Sequence, residues 1–316
     1  MTRIIRRPAT LVLALIASLV LAGCGSGPSQ VTSAAIIGDH AIPLDDVQRE
    51  IQWVLDNVPE AKQAQQQGNF AQQSREIVRS RIIHHLVTVA AQREGLRADP
   101  AQIEELINSS GGTESIARSI GIAPERVRDA AADQVLLQQL ARRYADRVSV
   151  RLVGTTIREE SAESTAEEKA LALGRRIAAD PGAAERIIRD GGYQVLDQEL
   201  ALADALQNQP EIAISSVFGA GEGSVIVIQP SREQTGWLVG LIRDRKVTAG
   251  GSQQSVQQAS GQVLYWAGVR MLQPIADELG VRVNPRYGVW DATEMAPAAS
   301  EDEVTGYQLS PRTVQP

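Results

Sequence analysis

The chain has 316 residues, 43% of them hydrophobic, and a formal net charge of −7. That length allows two domains of ordinary size, and the acidic balance excludes nucleic acid as a partner. A single cysteine rules out an internal disulfide, three histidines ending at His85 offer no zinc-ligand spacing, and no glycine-rich phosphate loop occurs, so neither a metal nor a cofactor is expected.

Arg3, Arg6 and Arg7 precede an uncharged apolar run over residues 9–21, which closes on Leu21-Ala22-Gly23-Cys24. A membrane-spanning helix needs about 20 apolar residues. This run is shorter and ends on small residues, so residues 1–23 read as a cleaved signal peptide. The segment resembles the bacterial lipobox, and that resemblance implies lipidation of Cys24. An acyl pair contributes about 0.8 kcal/mol per buried methylene, enough to hold the chain on the extracytoplasmic face of the cell membrane without spanning it. Loss of the three arginines takes the charge from −7 to −10. Residues 24–33, rich in Gly and Ser, read as a lipidated tether.

Residues 34–147 read as the first part of a helical domain. Two apolar stretches about Gly38-Asp39 predict a hairpin. A helix follows from about residue 44, with Val47, Ile51, Val54, Leu55 and Val58 on one face and Trp53 off it. The Gln-rich stretch 62–73 reads as a loop or an exposed helical turn. Ile77, Ile82, Ile83, Leu86, Val87 and Val89 then mark a second helix that Gly95 ends. Asp99-Pro100 caps and opens a third, which Gly111-Gly112 stops. A short helix over 114–120 closes on Gly121, and Pro124 opens a long one running through Leu137, Leu140 and Tyr144.

Residues 148–157 alternate and are β-branched, as a half-buried strand should be. Helices at 166–179 and 183–188, a strand at 193–196, a helix at 210–218 and strands at 224–228 and 236–242 complete a compact α+β unit over 148–247. A linker at 248–255 leads to a helix over 256–279 that carries Leu264, Met271, Leu272, Ile275 and Leu279. Pro274 should kink or split it. Residues 256–291 read as a C-terminal helix and closing segment, and residues 292–316 as a disordered tail with too few apolar groups to offset ordering entropy. The expected fold is mainly α plus α+β.

Ile36-Ile37-Gly38-Asp39 with Ile42, and the late segment Val283-Asn284-Pro285-Arg286-Tyr287-Gly288, resemble the opening hairpin and closing strand of the SurA/PrsA family of extracytoplasmic chaperones. That resemblance covers most of the mature chain. It implies a helical chaperone domain completed by the C-terminal helix, with residues 148–247 as an inserted parvulin-like unit. The parvulin pattern is degenerate. The first-strand histidine is missing from Arg151-Leu152-Val153-Gly154, Leu238 follows Gly236-Trp237 where the second histidine belongs, and the Gly-rich turn is reduced to Gly191-Gly192-Tyr193.

The expected function is therefore a non-enzymatic chaperone, a holdase whose partners are unfolded exported proteins or extended peptides. Trp53, Phe70, Trp266 and Met271 are candidate client contacts, since aromatic and Met side chains adapt to varied apolar partners. Trp237 and Leu238 are expected beside a peptide groove in the parvulin-like unit. The alternatives are a divergent prolyl isomerase using Tyr193, Asp197 or Thr156, and a scaffold or binding lipoprotein.

Overall fold

The computed structural model describes residues 31–158, 164–230, 236–249 and 259–311. Cys24, the signal segment and most of the tether lie outside the described residues. The chain is mixed α and β, and no described helix is long and apolar enough to cross a membrane.

Strand β1 (Ser33–Ile37) is buried at every residue because it runs mid-sheet, between β2 (His40–Pro43) and a strand from far along the chain, β7 (Val281–Val283). Helix α1 (Leu44–Asn57) has Asp45 and Asp46 in its first turn, against the positive end of the helix dipole, and buries Val47 and Val54. Its Glu50 carboxylate is 1% exposed; it accepts a 2.7 Å hydrogen bond from Arg81 Nε and a 3.3 Å bond from Ala123 N. The Gln-rich stretch is more helical than expected. Pro59 opens α2 (Pro59–Gln66), which seats Ala61 in the core and leaves its polar face in water.

Helix α3 (Ala71–Glu94) buries Ile77, Ile82, Ile83, Leu86 and Val87 and ends at Gly95, which takes the left-handed φ of 63° that favours glycine. Each such fully buried side chain contributes about 1.5–3 kcal/mol. Asp99 accepts a 2.9 Å bond from Ala101 N to cap α4 (Pro100–Ser109). Helix α5 (Thr113–Ile120) ends at Gly121, and a 3-10 turn over Pro124–Arg126 leads into α6 (Val127–Ala145).

Strands β3 (Val148–Ile157), β4 (Leu196–Ala201), β5 (Val225–Ile228), β6 (Trp237–Val247) and β10 (Gly306–Leu309) form an antiparallel sheet in the order β10-β5-β6-β3-β4. Successive side chains point to opposite faces. Val153, Ile157, Val227 and Val239 pack beneath α7 (Ala166–Ala179) and α8 (Ala184–Asp190). Val150, Leu152, Ile226, Leu238 and Ile242 face the other way and join the core of the helical part, with Phe218 and the short helices α9 (Leu202–Asn208) and α10 (Pro210–Ala213).

Residues 148–247 are therefore not self-contained: one face of their sheet is covered by the helical part, and the fifth strand comes from the tail. Two local expectations also shift. The strand expected at 193–196 runs Leu196–Ala201, because pairing with β3 sets its register, Asp197 opposite Val153. Only the start of 210–218 is helical; the rest turns back to carry Phe218 into the core.

Ser260 accepts a 3.2 Å bond from Val263 N and caps α11 (Gly261–Met271). Pro274 splits the late helix as expected, and α12 (Gln273–Leu279) follows the break. Both ends of the chain contribute to one core, since α11 packs along α6 and β7 pairs with β1.

Residues 292–311 contradict the expected disordered tail. β8 (Val289–Asp291) pairs with β9 (Ala296–Ala298), Met295 is fully buried, and β10 pairs along β5. Its apolar content alone does not offset the ordering entropy. Backbone pairing to β5 and the hydrogen bonds gathered by Asp291 supply the rest.

Candidate functional site

Helices α3, α5, α6 and α11, with the end of α4, line a half-open cavity of about 630 Å³, within the range of ligand-binding clefts, about 300–1,000 Å³. Ile77 and Ile83 come from the apolar stripe of α3, Ile116 and Ile120 from α5, Val127 and Ala131 from α6, and Tyr265 from α11. Ile120 remains 52% exposed, so the lining presents apolar surface to water. Gln134, Gln138 and Gln262 add amide groups; Gln138 Nε2 donates to Gly261 O at 3.2 Å. Aliphatic side chains with a few amides can hold apolar residues while meeting a backbone's hydrogen-bonding groups.

Four charged side chains line the cavity: Glu76, Arg79, Arg126 and Asp133. Arg79 is well held. It reaches Glu76 at 3.4 Å, donates to Met295 O at 3.2 Å and Glu294 O at 3.4 Å, and lies 4.7 Å from the centre of the Trp266 ring. His84 Nδ1 meets both carboxylate oxygens of Asp133 at 3.0 Å. That hydrogen bond holds the His84 imidazole above its ordinary range against the pull of burial. Burial pushes the Asp133 carboxyl up, outweighing the opposing effect of His84. Arg126 Nε is buried and has no hydrogen-bond partner.

None of the six aromatic, Leu and Met residues expected at client contacts lines this cavity. Trp53 is half-buried against the α4–α5–α6 cluster and the main core, and Phe70 rests half-buried on the main core. Trp266 sits edge-on to Tyr265, with ring centres 5.2 Å apart, and lines a separate cavity of about 340 Å³ beside Arg270. Met271 is 5% exposed and is a core residue. Trp237 and Leu238 do not share a groove: as neighbours on β6 they point to opposite faces, Trp237 toward α7 and α8 and Leu238 into the helical core.

The residues considered for isomerisation are also apart. Thr156 pairs with Leu238 on the core face, while Asp197 opposes Val153 on the other face and is engaged by Arg151 at 2.9 and 2.7 Å. That pairing holds the Asp197 carboxyl below its usual range. Tyr193 packs half-buried against the α7–α8 cluster. Among the described residues no group of three or more His, Cys, Asp or Glu side chains is placed to hold a metal.

No protein-family model and no curated protein matches this chain. The site is read from its own geometry. The residues that sequence reasoning missed are Ile116, Ile120, Arg126 and Tyr265. Ile77 and Ile83 belong to the apolar stripe that the sequence marks on α3, and the cavity forms where that stripe does not close on α5 and α6. A short helix ending in an isoleucine, followed by an arginine just before a long helix, is too common a pattern to mark a cavity.

Proposed function

We propose that this chain is a lipid-anchored chaperone of the bacterial envelope, a holdase of the SurA/PrsA kind that shelters apolar, extended segments of unfolded exported proteins and does not isomerise proline. The observation that carries this reading is the aliphatic cavity of about 630 Å³ among α3, α5, α6 and α11, rimmed by amides. A cleft of that volume, with apolar walls and a few amide groups, suits a binding site. The separation of Thr156 from Asp197, with Asp197 bound to Arg151, gives the isomerase reading no polar centre to work with.

The test uses the mature chain and a chemically unfolded exported protein. The chain should suppress aggregation at stoichiometric amounts, and Ile120→Glu, which changes an already exposed residue, should remove most of that protection. No suppression, or full suppression by Ile120→Glu, overturns the assignment of this cavity. A protease-coupled proline-peptide assay should show no acceleration.

A further inference from the structure

The four charged groups of the cavity are not equivalent. Glu76 and Arg79 hold each other, and Arg79 is also bound to two backbone carbonyls. Asp133 commits both oxygens to His84. Arg126 alone keeps donors to spare: its Nε is buried without a hydrogen-bond partner. Asp133 feels the Arg126 charge through space but is already engaged. Arg126 Nε is thus, among the described residues that line the cavity, the one buried side-chain donor without a hydrogen-bond partner. Buried donors are ordinarily satisfied, and a guanidinium fork in apolar surroundings matches a carboxylate better than any neutral acceptor.

We propose that Arg126 gives this cavity a preference for extended segments in which a carboxylate lies among aliphatic residues. The proposal rests on the cavity being the client site. Ile116 and Ile120 take the flanking aliphatic side chains, and Arg126 takes the carboxylate. The same chemistry is offered by an Asp or Glu side chain and by a chain's own C-terminus.

Fluorescence anisotropy with labelled peptides of alternating Leu and Val tests this on the mature wild-type chain. One peptide has a central Glu and both ends capped, a second has Gln there and both ends capped, and a third has Gln with a free C-terminal carboxylate. The first should bind about tenfold more tightly than the second, the increment expected of one charge-assisted hydrogen bond. The third tells whether a terminal carboxylate serves as well; tighter binding than the second adds the terminus to the ligand class, and equal binding restricts the class to side chains. Arg126→Gln should bring the Glu and Gln peptides to the same affinity, and Arg126→Lys should restore part of the difference. Equal wild-type affinities for the capped Glu and Gln peptides overturn the preference while leaving the client site standing. Failure of every peptide to bind overturns both. Retention of the Glu preference by a folded Arg126→Gln chain also overturns the proposal, and should that variant fail to fold, the wild-type comparison of Glu with Gln decides it.

Discussion

Gly268 on α11 lies directly against the carbonyl of Leu137 on α6: a Cβ built at Gly268 would fall 2.1 Å from Leu137 O and 2.7 Å from its carbonyl carbon. The obstacle is backbone, which cannot rotate aside. The crossing that brings the C-terminal helix onto the N-terminal helices is thus possible only with hydrogen at this position. Gly268→Ala should force the helices apart and lower stability by at least about 1–3 kcal/mol, the usual range for overpacking. Urea unfolding of the mature chain measures it, and a midpoint equal to wild type would show that the two helices do not pack this closely.

The His84–Asp133 pair makes stability depend on pH. The folded state raises the His84 value above 6.5, first through the hydrogen bond to Asp133, so it holds that proton more tightly than the unfolded chain does. The stabilisation is complete below 6.5 and is lost as pH rises through the folded value. His85 works in the opposite sense, because burial, then His40 and His84, push it down. The His84 share is therefore read as a difference. Relative to wild type, His84→Gln should be less stable at about pH 5.5, with the gap narrowing by about pH 8.5. Equal gaps in the urea midpoint at both pH values would mean that the imidazole is not charged against Asp133.

Asp291 organises the last described segment. One carboxylate oxygen accepts from Thr293 N at 2.8 Å, Thr293 Oγ1 at 2.6 Å and Glu294 N at 3.2 Å, and the other from Thr305 N at 2.7 Å and Thr305 Oγ1 at 2.9 Å. Asp291 is 3% exposed, so water cannot replace these bonds. Asp291→Ala should cost at least about 2 kcal/mol, since hydrogen bonds to a charged group contribute about 1.5–3 kcal/mol each. It should also speed limited proteolysis beyond residue 291 by loosening β10 from β5. An unchanged cleavage pattern counts against this account of the tail.

The lipid is tested at Cys24, which lies outside the described residues. Cys24→Ala should block lipidation and the cleavage that follows, leaving a slower-migrating precursor that labelled fatty acid does not enter. Normal processing of that variant would remove the lipobox reading.

By itself the sequence determined the elements whose limits are local. The bounds of β3 and α7, the ends at Gly95 and Gly121, and the break at Pro274 follow from alternation, capping and the sterics of single residues. Burial on a particular side was not legible, because it depends on which distant segment arrives there. Leu238 reads as lining a peptide groove and Met271 as an adaptable client contact, yet both are core, since β6 turns one face to the helical part and α11 is enclosed against it. Residues 292–309 read as disordered because their own apolar groups are few, yet β5 offers an open edge more than 75 positions earlier in the chain, where β10 aligns Gly306 with Ile228. The cavity is likewise a tertiary product. Its walls are ordinary helix stripes, and Arg126 Nε lies buried without a partner while Asp133 is engaged by His84 across two helices.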